Sequence, residues 1–189
     1  MRWIVVMLAL FLAVPLSVPA QADPSVLARL AEPHTHAIMR HALAPGSGDP
    51  ENFDLFDCAT QRNLSDDGRR QAARAGDMLR AAGVQIDAVW SSFYCRNLET
   101  AELMAMGAAQ TLSNLNFFGR DKSSNRRRTQ AVIAAMAEMP DDQTLLVVGH
   151  SANIEAITGT RPISGEVQVV RITPDGAVTL LGRVEVPVF

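Results

Sequence analysis

The chain has four histidines, His34, His36, His41 and His150, so any imidazole chemistry must come from this short set. Two of them stand at the ends of apolar runs. His41 follows Arg40 and the run Ala37-Ile38-Met39, and His150 follows Gly149 and the run Thr144 to Val148. A third apolar segment, Ile86 to Trp90, leads into Ser91-Ser92 and then Cys95-Arg96. An imidazole can attack phosphorus or donate a proton near neutral pH. A guanidinium grips phosphate or carboxylate oxygens with a planar fork and keeps its charge. Two of each, brought to one place, are the tools for handling a phosphoryl group. The basic residues are sixteen arginines and one lysine, Lys122. A GC-rich genome gives the same bias, so the count alone assigns nothing.

Bringing them together requires the apolar runs to be neighbouring strands. Thr144 to Val148 is continuously apolar, as a strand buried on both faces is. Helical spacing fills the intervals. Ala72, Ala75, Leu79 and Ala82 mark one helix, capped by Ser65, with Asp66 and Asp67 in its first turn and Gly83 at its end. Leu98, Ala101, Ala105 and Ala108 mark a second. Ala131, Val132, Ala135, Met136 and Met139 mark a third, stopped by Pro140. Ala44 to Asp57, rich in Gly, Pro and Asp, is a loop. Leu112 to Phe118 reads as a strand running into a loop. Arg120 to Arg128 is polar and charged, and Arg126-Arg127-Arg128 within it reads as a solvated stretch or a contact for an anionic surface. Glu166 to Ile172 and Val178 to Val184 alternate around Pro174-Asp175-Gly176, which signals a hairpin. The expected fold is a three-layer α/β/α sandwich with a mainly parallel sheet. Ligands of such sheets bind beyond the carboxyl ends of the strands. Arg40-His41, Arg96 and His150 would all lie on that edge.

A formal net charge of −3 leaves no basic field, so no nucleic-acid partner is expected. Two cysteines exclude a disulfide-dense scaffold and a four-cysteine zinc site. Residues 1–22 read as a secretory signal peptide: Arg2, the apolar run Ile4 to Val14, Pro15, and small residues at Ala20-Gln21-Ala22. Cleavage after Ala22 would leave a single domain over residues 23–189 in an oxidising, exported compartment, with no transmembrane segment. There Cys58 and Cys95 either bridge or remain buried thiols, because spacing does not fix the Cα separation a bridge demands. His34 and His36 could share a strand face, but no further His, Cys or Asp cluster completes a metal site. Gly149-His150-Ser151-Ala152-Asn153 imitates a serine-hydrolase elbow. That fold places its catalytic histidine after the serine, and none follows position 150.

Arg40-His41 after a first strand, Arg96 after a second and Gly149-His150 after a late buried strand resemble the histidine phosphatase superfamily, whose fold is phosphoglycerate-mutase-like. The likeness runs from about Ala37 to Arg171. Thr60 to Ala72 and Cys95 to Ala101 further resemble a bacterial exported subgroup similar to the lipopolysaccharide core heptose-phosphate phosphatases. The resemblance implies a periplasmic phosphomonoesterase without metal or cofactor, acting on a small phosphorylated substrate such as a core sugar phosphate. It implies that His41 attacks phosphorus and carries the phosphoryl group, that Arg40 and Arg96 hold its oxygens, and that His150 donates to them. Asn63 and Arg62, in the loop before the first helix, and Ser151, directly after His150, are the candidate substrate contacts.

The chain departs from the family pattern twice. Ala42 stands where the family usually has glycine after Arg-His. No Glu or Asp occupies the usual places for a general acid, and Asp121 is the nearest candidate. These departures support an alternative, a non-catalytic phosphate- or glycan-binding module on the same fold. The presence of a nucleophile at His41 argues for the enzyme.

Overall fold

The computed structural model describes residues 24–119 and 121–188. The expected signal peptide, 1–22, lies outside them, as does Arg120. Six strands form one sheet: β1 Thr35–Arg40, β2 Ala88–Ser91, β3 Ala109–Thr111, β4 Leu145–Gly149, β5 Val167–Ile172 and β6 Val178–Val184. The order across the sheet is β3-β2-β4-β1-β5-β6. β3, β2, β4 and β1 pair in parallel, while β5 and β6 add an antiparallel edge. The helices are α1 Pro24–Ala28, α2 Asp66–Ala81, α3 Cys95–Met104, α4 Lys122–Ala137 and α5 Ser151–Thr158.

Alternation along the strands builds two cores. Ala37, Met39, Leu146 and Val148 face Leu27 of α1, Leu79 of α2 and Met104 of α3. Ile38, Leu145 and Val147 face Val132 and Met136 of α4 and Ile154 of α5. The result is the expected three-layer sandwich, with β4 buried along its whole length. No described helix is long and apolar enough to cross a membrane.

Two glycines let helices sit close enough to position the site. A Cβ on Gly68 would lie 2.0 Å from the Leu43 carbonyl oxygen, so the first turn of α2 can rest on the chain just beyond His41. A Cβ on Gly76 would lie 1.9 Å from the Met104 carbonyl oxygen, so α2 and α3 pack almost backbone to backbone. Ser65 caps α2 by accepting from the Gly68 N–H, as its sequence suggests.

Four local expectations need correction. The second helix begins earlier, at Cys95, and stops at Met104; Ala105 turns left-handed at φ 52°, so Ala108 lies outside it. The apolar stretch Leu112 to Phe118 is not a strand. The strand is the short Ala109–Thr111, and Ser113–Leu115 is a 3-10 turn that drops Leu115 into the core. The polar run after Arg120, to which the sequence reading assigns no element, is the first half of α4. Its Arg128 donates to the carbonyls of Ser113 and Asn116, tying the helix to that turn. Finally, a helix follows His150 directly, where sequence gave no helix.

Candidate active site

Strand register brings the chemistry together. In the parallel ladder Arg40 pairs with Gly149, and Ser91 pairs with Val148. β1, β4 and β2 therefore end in step, and His41, His150 and Ser92 emerge side by side. The His41 N–H donates to the Gly149 carbonyl at 3.0 Å, which fixes this alignment. The imidazole centroids of His41 and His150 lie 5.6 Å apart. Both residues are 2% exposed.

The His41 ring has a defined role. Its Nδ1 lies 2.8 Å from the Ala42 carbonyl oxygen, which can only accept. Nδ1 therefore carries the proton, and Nε2 keeps its lone pair. Ala42 is buried, and its N–H donates to Thr100 Oγ1 at 3.0 Å. His34 and Ala105 are the described non-glycine residues with positive φ, so the alanine in place of glycine is unstrained.

His150 precedes α5 at its cap position and is enclosed by rings. Tyr94 meets it edge-on at 4.7 Å and Phe117 at 5.6 Å. Its Nε2 is 3.1 Å from Ser92 Oγ. The same Oγ accepts from the Tyr94 N–H at 3.3 Å, so the hydroxyl fixes the orientation of the ring. With Nε2 accepting from this hydroxyl, the neutral imidazole carries its proton on Nδ1, the tautomer that can donate to a bound oxyanion.

Arg96, the second residue of α3, is 1% exposed. Its Nη1 donates to Asp49 Oδ1 at 2.8 Å and to the Arg62 carbonyl at 3.3 Å, and Nη2 reaches Asp49 Oδ2 at 3.4 Å. Its face stacks on the Tyr94 ring at 4.6 Å. The buried Nε atoms of Arg96 and Arg40 have no protein partner. Arg40 is otherwise held by donation to the Pro162 carbonyl at 3.4 Å. Asp49 is the functional residue that sequence missed. It also accepts from the Arg62 N–H at 3.0 Å, so it fixes the outer edge of Arg96 and leaves the Nε edge available.

The electrostatics follow from burial among three guanidiniums. Burial first, then Arg96, Arg40 and Arg62, push the His41 imidazole down to about 3. Burial, His41 and the same arginines hold His150 well below its ordinary value. His36, on β1, is pushed to about 4 by burial and by His34, and its Nδ1 accepts from the Leu145 N–H. All three are neutral in the folded protein but protonate near 6.5 once unfolded. The unfolded chain therefore binds more protons below that value. Stability should be highest above pH 6.5 and decline as pH falls towards 4. The slope approaches about 1.4 kcal/mol per pH unit for each neutral histidine. Urea unfolding at pH 7 and pH 5 checks this, and equal midpoints would refute it.

The remaining sequence candidates are placed as follows. Arg62 donates from Nε to the Gly48 carbonyl at 2.8 Å and from Nη1 to the Ala44 carbonyl, so it closes the 44–57 loop and adds positive field. Asn63 has its Oδ1 buried without a protein partner. Its Nδ2 donates to the Cys58 carbonyl at 2.6 Å, and it lines a cleft with Cys58, Cys95, Arg69 and Glu99. Ser151 begins α5 beside His150. Cys58 and Cys95 form a disulfide, with Cα atoms 5.7 Å apart, immediately before Arg96. Glu99 pairs with Arg69 at 2.6 Å, not with Arg96. Asp121 does not have the setting of a general acid. It caps α4 by accepting from the N–H groups of Ser123 and Ser124, and these bonds together with the Ser123 hydroxyl hold its carboxyl below the ordinary value. A proton donor needs the opposite shift. His34 sits outside β1 at φ 58°, so it shares no strand face with His36. Among the described residues no group of three or more His, Cys, Asp and Glu could hold a metal ion.

Known proteins share part of this sequence and its fold. The profile of the histidine phosphatase superfamily (branch 1) matches residues 37–116, which contain Arg40, His41 and Arg96. Among curated proteins no match was found. Solved structures share the fold. The protein histidine phosphatase SixA complexed with tungstate is 20% identical over 80% of this chain and 96% of its own, with a TM-score of 0.58. The candidate phosphohistidine phosphatase SixA of Nakamurella multipartitia is 25% identical over 84% and 99%, with a TM-score of 0.60. Phosphoserine phosphatase of Entamoeba histolytica is 12% identical over 80% and 96%, with a TM-score of 0.63.

Proposed function

We propose that this chain, whose residues 37–116 match the histidine phosphatase superfamily profile, is a phosphomonoesterase of that superfamily working through a phosphohistidine on His41. One observation carries the reading. The Nδ1 proton of His41 is fixed on the Ala42 carbonyl, which leaves Nε2 unprotonated in a field of three arginines. Nε2 attacks phosphorus, the ester P–O bond breaks, and its electron pair leaves with the alcohol oxygen. Arg40, Arg96 and His150 hold the three phosphoryl oxygens as charge spreads over them. Water then attacks the phosphohistidine, releasing inorganic phosphate and restoring the imidazole. Cationic side chains do the neutralising, so the step as drawn needs no metal.

The tungstate-bound relative supports an oxyanion site here. The resemblance in Thr60 to Ala72 and Cys95 to Ala101 directs the substrate towards sugar phosphates of the cell envelope, including the lipopolysaccharide core. The leader-like residues 1–22 support export to the periplasm, and the Cys58–Cys95 bridge suits that oxidising compartment. The test is a phosphatase screen on protein recovered from the periplasm and starting at Asp23, pairing an aryl phosphate with phosphorylated core sugars. Turnover that survives a chelator is expected. Tight phosphate binding without turnover would establish the binding module instead, and loss of activity on chelation would overturn the metal-free step.

A further inference from the structure

Ten aromatic residues occur in the whole chain, and six of them stand on three loops at this one edge of the sheet. Phe53 and Phe56 come from the loop after β1, Phe93 and Tyr94 from the turn after β2, and Phe117 and Phe118 from the segment before α4. They form a connected collar. Phe53 stacks on Tyr94 at 5.3 Å, and Phe56 meets Phe93 at 6.2 Å. Tyr94 and Phe117 both touch the His150 ring, and Arg128 lies over Phe118 at 5.3 Å. Loop rings can simply pack on one another, and Phe53 does so. Phe56 and Phe117 make only edge contacts and remain 81% and 51% exposed. Large exposed rings beside a buried polar site mark the place where a ligand's apolar part rests.

A second observation concerns the leaving group. Asp49 is engaged by Arg96 and the Arg62 N–H, and Asp121 caps α4. Neither carboxylate is set to protonate a departing alkoxide. A phenolate, the anion of an alcohol ionising near 10, departs without that help.

We infer that the site takes phosphate monoesters of planar aromatic alcohols, the phosphoryl group held by Arg40, Arg96 and His150 and the ring lying against Phe117 and Phe56. This rests on the phosphatase reading, but it replaces an envelope sugar with an aryl group as the favoured leaving group.

The test separates stacking from leaving-group chemistry by using phosphonates, which bind without being cleaved. Calorimetry should find benzylphosphonate bound roughly tenfold more tightly than ethylphosphonate. The double variant Phe56→Ala/Phe117→Ala should reduce that ratio to about threefold or less. Phe56 is largely exposed, Phe117 is half-exposed, and neither belongs to a core cluster, so their removal opens no core cavity. Turnover should favour phosphotyrosine over phosphoserine and over glucose 6-phosphate. Equal binding of the two phosphonates, a ratio unchanged in the double variant, or sugar turnover matching that of phosphotyrosine would overturn the aromatic assignment while leaving the phosphatase intact. No phosphonate binding together with no hydrolysis of any ester would instead overturn the phosphatase reading.

Discussion

His41→Asn should lower kcat for an aryl phosphate by roughly a thousandfold or more, because it removes the nitrogen that carries the phosphoryl group. Asparagine is the informative substitution, since its amide can still meet the Ala42 carbonyl that now receives Nδ1–H. The arginines stay in place, so inorganic phosphate should bind within a few-fold of the unaltered protein. The split between binding and turnover identifies a nucleophile rather than an anchor. Rapid quenching of the unaltered enzyme with labelled substrate should trap a phosphoprotein that is labile in acid and stable in alkali, and the variant should give none. The pH profile follows from the same burial. With the imidazole pushed to about 3, Nε2 keeps its lone pair at every pH above that, not only above 6.5. Phosphoenzyme formation should therefore show no acid limb from His41 between pH 5 and 7, once the substrate's own ionisation near 6 is allowed for. A variant retaining more than about a tenth of the activity would dismiss His41 as nucleophile.

The central half of the site was legible because strand ends are local facts. β4 announces itself by a continuous apolar run, and the residue after a buried parallel strand lies on the ligand edge whatever the rest of the chain does. That logic reached Arg40, His41, Arg96 and His150 without any knowledge of contacts. It could not reach Asp49. Its loop, rich in Gly and Pro, has no periodicity, and its partner Arg96 lies 47 residues away. The aromatic collar was hidden for the same reason, since its rings are paired only after three separate loops converge.

Errors of assignment arose where a short signal served two meanings. Asp121 precedes Lys122-Ser123-Ser124 and heads α4. The same acid at the same place reads as a general acid or as a helix cap, and the backbone N–H groups decide for the cap. Only the second half of this helix is legible, because its buried side chains, Val132 and Met136, both lie there. α5 was missed because its eight residues show only Ile154 and Ile157 as a buried apolar pair, and His150 ahead of it makes no side-chain cap bond. For Asn63 the sequence gives the residue but not its partner: the Nδ2 donates to the Cys58 carbonyl, five residues back in the same loop.

That bridge carries the second large effect. Cys58 lies in the 3-10 turn Cys58–Thr60, and Cys95 opens α3 one residue before Arg96. Gln61 reinforces the link by accepting from the Cys95 N–H at 3.0 Å while its amide donates to the carbonyls of Asp54 and Leu55. The loop that bears Asp49, Phe53 and Phe56 is thus fastened to the helix that bears the phosphate-binding arginine. The bridge closes a sequence separation of 37 residues. Loop-closure entropy for that length corresponds to about 4 kcal/mol of stability. Cys58→Ser/Cys95→Ser should therefore lower Tm by roughly 10 °C. Below that lower Tm the variant still folds, because neither Cys58 nor Cys95 belongs to the two cores of the sandwich. Its activity should change chiefly in KM, upwards, since loosening the loop frees the outer edge of Arg96 while leaving His41 and Ala42, just after β1, undisturbed. Amide exchange should accelerate across residues 44–63 and not in β1 or β4. A Tm within 2 °C of the unaltered protein, or a loss confined to kcat, would show that the bridge does not hold the loop against Arg96.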